Sequence, residues 1–331
     1  MSKQVIITSR PEAAVIALNE VQKISPSARG KRLSPEIQLV TIPEGYVPLY
    51  EAYPIFIRHN FPVQLHTSID TPDISQNLSL LCEYFPKNRA FSMQMRCTDP
   101  QDRAKGLKIL RETEAILLSE GYICDNSRPI WANSMVIHQG ELYAGVSLCT
   151  HNLSDWNGGM MRFKKDGRFI SRAEFKLQEA LSAFSIEIGD AKTALDLGAA
   201  PGGWSKVLME YGLQVTAVDP AELSEIIVHH PKLTHVKDVA QNFFASQKER
   251  FDMIVNDMRM DMTDSCKIML DIASLLAPGG ISVVTLKLPR SNWYKNTKRA
   301  LSLLENSYTV QGARQLFHNR SEVTVLLTKA T

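Results

Sequence analysis

A chain of 331 residues is longer than one average domain and has room for two or three, each with its own core. Its 44% hydrophobic and 22% charged content excludes a disordered or fibrous chain. The formal net charge of +2 excludes a polycation, so any contact with a polyanion has to come from local clusters of Lys and Arg.

In chain order, VIITSRPEAAVIALNEV followed by IQLVTIP reads as a βαβ-like pattern and predicts a small ferredoxin-like α+β domain over residues 1–72. In residues 73–160, FSMQMRCTD reads as a strand and DRAKGLKILRETEAILLSEG as a helix closed by Gly121. SMVIHQGELYAGVSLCT reads as a hairpin turning near Gln139 and Gly140. HNLSDWNGGMMRFKKDGRF has the polar, glycine-bearing composition of an exposed connection, so a domain boundary falls there and a third domain covers 166–331. SRAEFKLQEALSAF is amphipathic, with Phe175, Ala180, Leu181 and Phe184 on one face, and Ser171 with Glu174 forms a candidate capping box. From Thr193 onward TALDLG, SKVLMEYG, QVTAVD, THVKD, FDMIVND, CKIMLDIASLLAPGG, ISVVTLKLP, NWYKNTKRALSLLENS, YTVQGARQLF and EVTVLLTKA alternate strand with helix. That alternation predicts an α/β domain, a parallel sheet with helices on both faces.

The most informative stretch is ALDLGAAPGGWSKVL, a strand, a glycine-bearing loop and a helix start, the geometry of nucleotide-binding α/β folds. The candidate loop residues are Gly198, Ala199, Ala200, Pro201, Gly202, Gly203 and Trp204. The glycine spacing matches neither GxGxxG nor a phosphate loop, so a pyrophosphate is not the expected ligand. Asp196, inside the strand end, disfavours an anion and suits the positive end of a zwitterionic sulfonium. Asp219, ending the next strand, stands where an acid binds both ribose hydroxyls. An ordinary tight turn with a capping Asp is the alternative, and the full βαβ context with its second acid argues against it.

DLGAAPGGWS resembles the motif of FtsJ-type ribosomal RNA ribose methyltransferases. That family has a Lys on the preceding helix, an Asp ending the fourth strand, a Lys ending the fifth and a Glu near the start of the final strand. Lys176 in SRAEFKL, Asp257 in VNDMR, Lys287 in VVTLKLP and Glu322 in NRSEVTVLL fill those places. The resemblance implies a Rossmann-like class I methyltransferase domain with a seven-stranded, mostly parallel sheet, and S-adenosylmethionine as cofactor. It also implies transfer to an RNA ribose 2′-hydroxyl by a Lys-Asp-Lys-Glu tetrad, with Asp257 facing the sulfonium end and Asp238 in THVKDVAQN at the adenine amino group. A ribose hydroxyl needs a base, and an ordinary lysine, with a pKa near ~10.4, is protonated at neutral pH. A second cation, Lys176, and partial burial are expected to favour the neutral amine of Lys287.

Residues 73–160 resemble a THUMP RNA-binding domain in FSMQMRC, the long helix and YAGVSLCTH. Joined to an FtsJ-type domain, this resembles bacterial enzymes that 2′-O-methylate a cytidine of large-subunit ribosomal RNA, which implies that RNA as partner. Arg89, Arg96, Arg103 and Lys105 are candidate contacts. Met161 to Lys176 carries six basic residues against two acids, and Lys287 to Arg299 five with no acid, so both runs can form a positive rim for phosphates. Trp293 and Tyr294 are candidates for stacking on a base or for helix packing.

Competing classes fit less well. An exocyclic-amine enzyme needs a proline pair and an aromatic ring where this chain has NDMRMD, and a cytosine-C5 enzyme needs a cysteine nucleophile, for which Cys266 is badly placed. A dinucleotide oxidoreductase conflicts with the glycine spacing. A non-catalytic RNA-binding or ribosome assembly factor that keeps the fold conflicts with the filled tetrad. Cys82, Cys97, Cys124, Cys149 and Cys266 form no CxxC pair, and the eight histidines show no metal-ligand spacing, so reduced thiols, a cytoplasmic location and no metal are expected. No secretory leader and no apolar run of ~18 residues is visible, so no membrane partner is expected. The pattern carries no signature of oligomeric state.

Overall fold

The computed structural model describes residues 3–43, 48–163, 167 and 169–330. Lys164, Lys165 and Arg168 of the first basic run lie outside the described residues. The chain divides into two compact units, Met1–Met161 and Arg162–Thr331.

The first unit contains β1 (Lys3–Thr8), α1 (Ala14–Ile24), β2 (Arg29–Arg32), β3 (Ile37–Ile42), β4 (His59–Val63), β5 (Leu65–Ser68), α2 (Ile74–Leu80), β6 (Ala90–Cys97), α3 (Arg103–Ser119), β7 (Ile123–Cys124), β8 (Trp131–His138) and β9 (Glu141–Leu148). One sheet has the order β2-β3-β1-β4 with all neighbours antiparallel. The two strands read from the sequence as a βαβ pair, β1 and β3, are thus antiparallel. The intervening β2, RGKR, is exposed throughout and shows no apolar alternation, so the pattern misses it. Alternate residues of β1 serve two cores. Val5 and Ile7 pack against Ala17 and Val21 of α1, whereas Ile6 packs with Leu39, Phe61, Val136 and Tyr143. That second cluster joins the four-stranded sheet to a five-stranded one of order β5-β9-β8-β6-β7. Strand β5, which lies within 1–72, is an edge of this second sheet, so the two modules read upstream meet on one core. The hairpin β8–β9 turns at Gln139 and Gly140, both with positive φ.

The second unit contains α4 (Ala173–Ala183), β10 (Thr193–Leu197), α5 (Gly203–Glu210), β11 (Gln214–Val218), β12 (Leu233–Val236), α6 (Ala240–Ser246), β13 (Phe251–Asn256), α7 (Met262–Asp271), β14 (Leu276–Lys287), α8 (Trp293–Leu304), β15 (Tyr308–Arg314) and β16 (Glu322–Lys329). Its seven-stranded sheet has the order β12-β11-β10-β13-β14-β16-β15, parallel except where β16 runs against β14 and β15. Ala194, Met253, Val255 and Val283 face α4 and α5 in one buried cluster. Asn256, of opposite parity to Val255, reaches α7 instead, at Ser265 Oγ and Met269 Sδ. The helix read from CKIMLDIASLLAPGG stops at Asp271, and after one 3-10 turn β14 already begins at Leu276. Pro278 bars a helix that continues through Ala277, because proline disfavours helical backbone in the residue before it and has no N–H to donate. The order reverses between β10 and β13, so the loops that follow them diverge and open a crevice at the strands' C-terminal ends.

Candidate active site

The start of α4 is fixed by Glu174. Its Oε1 accepts the backbone N–H groups of Ile170 (2.6 Å) and Ser171 (3.0 Å), while Ser171 Oγ accepts that of Ala173 (3.3 Å). The capping box is therefore present on the Glu side and shifted by one residue on the Ser side. Glu174 Oε2 also takes Lys206 Nζ at 2.8 Å, a buried ion pair that ties α4 to α5. Trp204 ties the same two helices, its indole N–H donating to the Ala173 carbonyl at 2.7 Å. A Cβ at Gly203 would lie 2.5 Å from Ser171 Oγ, so the two helix starts meet because this position has no side chain.

Between these helices and the strand ends lies a cleft of about 1170 Å³. Asp196, Gly198, Ala199, Ala200, Pro201, Gly203, Trp204, Asp219, Asp238 and Asp257 all line it, with Lys176, Lys287 and Glu322. Gly202 does not. It opens α5 at φ 105° and abuts Ile227, so its part is in the turn and not in the cleft wall. Gly198, at φ 69°, faces Met258 so closely that a Cβ would come within 2.3 Å of its Cγ. The two loops thus touch across the point where the strand order reverses.

The cleft's carboxylates differ in state. Burial pushes Asp196 up to about 7, and the negative charges of Asp257 and Asp219 add to this, against a 2.6 Å hydrogen bond from Ser205 Oγ. Asp219 is held by the N–H groups of Ala200 (3.1 Å) and Ala221 (2.8 Å). Asp238, just ahead of α6, accepts Val239 N–H (2.7 Å) and Asn242 Nδ2 (2.9 Å) while still bordering the cleft. Burial works against the charge on Asp257, but the ammonium groups of Lys287 and Lys176 win and hold its carboxyl below the ordinary range.

The four polar residues drawn from separate elements converge. Lys176 Nζ lies 3.1 Å from Asp257 Oδ2 and 2.6 Å from Glu322 Oε1. Lys287 Nζ is 2.9 Å from Asp257 Oδ1 and 4.0 Å from Glu322 Oε1. Register explains part of this, since Lys287 and Glu322 are direct partners in the antiparallel β14–β16 pair and so share a face. Burial lowers the Lys176 pKa, but Asp257 and Glu322 outweigh it and leave that ammonium above its usual value. Thr285, two residues before Lys287 on the same face, was not singled out from the sequence. Its hydroxyl donates to Asp257 Oδ1 at 2.5 Å and accepts from Lys287 Nζ at 3.0 Å. Arg172, Arg259, His318 and Arg320 also border the cleft, and of these only Arg172 belongs to a run read as basic. The five cysteines are free. Cys266 is fully buried, its thiol pushed up to about 12 by desolvation, and it donates toward the Ala300 carbonyl, away from the cleft. No group of three or more His, Cys, Asp or Glu among the described residues is arranged to hold a metal.

Residues 169–295 match the model of the FtsJ-like methyltransferases. The second unit is thus similar to that family over most of its length. S-adenosylmethionine is its methyl donor, and the donor set of this methyltransferase unit fits it. A wall of four carboxylates, one buried and starved of a cation, suits a cationic zwitterion with ribose hydroxyls and opposes a phosphate ligand. Among curated relatives, the ribosomal RNA large subunit methyltransferase M of Xylella fastidiosa (strain M12) is 27% identical over 288 residues, 82% of this chain and 80% of the relative. The protein of the same name from Pseudomonas putida (strain W619) is 27% identical over 275 residues, 77% and 76% of the two chains. That from Methylococcus capsulatus (strain ATCC 33009 / NCIMB 11132 / Bath) is 32% identical over 197 residues, 56% and 54%.

Outside the methyltransferase unit, two of the upstream candidates have other partners. Arg96 pairs with Glu36 at 2.8 Å and Lys105 with Asp70, while Arg89 and Arg103 are exposed. In the second basic run Arg290, Lys295, Lys298 and Arg299 are exposed, and Trp293 donates to the Pro289 carbonyl at 2.7 Å. No helix among the described residues is long and apolar enough to cross a membrane.

Proposed function

We propose that this chain methylates a ribose 2′-hydroxyl of large-subunit ribosomal RNA in the cytoplasm, with residues 73–160 acting as a THUMP-like RNA-binding module. The observation that carries the reading is the meeting of two amines and two carboxylates at one end of the cofactor cleft. The names of the curated relatives support ribosomal RNA as the acceptor. A cysteine-dependent base methylation is disfavoured by the burial of Cys266.

S-adenosylmethionine supplies an electrophilic methyl carbon on its sulfonium. Asp196 would meet the cationic end of the cofactor, Asp219 its ribose hydroxyls and Asp238 its adenine amino group. Lys176, held by two carboxylates, is the fixed cation. Lys287 has one close carboxylate, 2.9 Å away, and once it has given up its own ammonium proton it is the neutral amine that takes the hydroxyl proton as the oxygen attacks. Asp257 orients both amines, and Glu322 holds Lys176 against the developing charge. Catalysis then rests on positioning and electrostatics in a partly desolvated site.

Large-subunit ribosomal RNA incubated with the protein and a tritiated methyl donor tests this. Label in an alkali-resistant dinucleotide is expected, because a methylated 2′-oxygen cannot attack the adjacent phosphate. Label on a base would refute the assignment.

A further inference from the structure

Residues 315–321, between β15 and β16, enter the cleft beside Glu322 but take no part in the tetrad. Buried polar groups hold them. Glu179 of α4 is 3% exposed and accepts three hydrogen bonds of 2.7 Å each, from the backbone N–H of Phe317, the backbone N–H of His318 and His318 Nδ1. Asn319 Oδ1 accepts Leu316 N–H (2.8 Å) and Thr324 Oγ1–H (3.0 Å), and the Ser321 carbonyl accepts Leu288 N–H (2.7 Å). A connection tied this way is a platform, and the residues it brings to the cleft are His318, the exposed Arg320 and Ser321.

The chemistry of His318 is narrow. A carboxylate at Nδ1 requires the proton there, so the neutral ring has an acceptor lone pair at Nε2. Among the described residues Nε2 has no hydrogen-bond partner. The ring is packed among Phe163, Phe175 and Phe317, with centroids 5.6, 5.4 and 5.2 Å away, so it can meet a ligand by its edge and not by stacking. An edge acceptor two residues from an arginine suits a base N–H donor beside a phosphate.

We propose that this loop clamps the acceptor nucleotide. His318 Nε2 accepts from an exocyclic amine of the acceptor base, Arg320 pairs with a flanking phosphate, and Glu179 is the positioning residue for His318. The inference rests on RNA being the acceptor.

The test uses the full chain and unmodified large-subunit ribosomal RNA made by transcription. His318→Phe preserves the ring packing and removes both nitrogens. It should raise KM for RNA about tenfold while leaving S-adenosylhomocysteine affinity unchanged, and His318→Gln, whose amide oxygen reaches the Nε2 position, should recover part of the loss. Glu179→Gln should raise KM for RNA more than it lowers kcat. Arg320→Gln should reduce the slope of log affinity against log salt by about 0.7, the share of one phosphate on a single strand. A transcript whose mapped acceptor base lacks an exocyclic amine should be a poorer substrate for the wild type, and His318→Phe should lose that discrimination. Wild-type KM and discrimination in His318→Phe, or a natural acceptor without such an amine, would overturn the clamp while methylation of RNA itself stands. Failure of the wild type to methylate any RNA ribose would remove the underlying reading and the clamp with it.

Discussion

The proposed contact between Asp196 and the cofactor's cationic end makes cofactor binding a proton-linked event. With the free protein's carboxyl pushed up to about 7, it is largely protonated at pH 5, and ionising it there costs about 2.7 kcal/mol at ~1.36 kcal/mol per pH unit. A bound cation favours the ionised form, so binding below pH 7 has to expel this proton. The sign follows: affinity rises with pH through about 7 and then levels off, approaching a ~50-fold difference between pH 5 and 7 if the carboxyl in the complex titrates well below 5. Calorimetry of S-adenosylmethionine binding in buffers of different ionisation enthalpy counts the proton directly. Close to one proton released at pH 5.5 and almost none at pH 8 is expected, and Asp196→Asn should bind with little pH dependence and release none. Proton uptake in the wild type, or a pH slope that survives in Asp196→Asn, would refute the argument.

Gly198→Ala should weaken cofactor binding at least tenfold, since it combines a left-handed φ with a Cβ 2.3 Å from Met258, and the double change with Met258→Ala should regain part of it in the same titration. Lys206→Met strands the buried Glu174 carboxylate and should cost about 3–5 kcal/mol in urea unfolding. A loss below about 1 kcal/mol would mean that the pair does not brace α4 against α5. Asp257 has a folded pKa below its unfolded one, so its contribution to stability is present above about pH 4 and is lost as pH falls through the folded value. Asp257→Asn should therefore have a lower Tm than wild type at pH 7, and the gap should shrink as both are acidified. A gap that widens in acid would contradict the sign.

Alternation and the glycine loop made the second unit legible. Strands buried on both faces, such as β10 and β13, read as short apolar runs wherever they occur, and the strand-loop-helix at 194–208 has few other conformations open to it. Convergence of Lys176, Asp257, Lys287 and Glu322 was legible by resemblance. The Lys287–Glu322 register and the Thr285 hydroxyl were not, because antiparallel partners 35 residues apart leave no local signal. His318, Arg259 and Arg320 escaped notice for a related reason, since they sit on irregular connections whose aim is set by distant groups such as Glu179. In the first unit the short edge strands β2 and β5 carry no clear alternation. Their place is decided by the pairing partner, which is also why β5 joins the second sheet.

Single-turnover methyl transfer to RNA by Lys287→Ala, run beside its cofactor affinity, bears most directly on the tetrad. The account expects transfer to fall by at least ~10³-fold, toward the upper part of the range for a general base, with S-adenosylmethionine affinity within a few-fold of wild type. Transfer at a rate near wild type, or a loss that tracks weakened cofactor binding, would show that Lys287 is not the base.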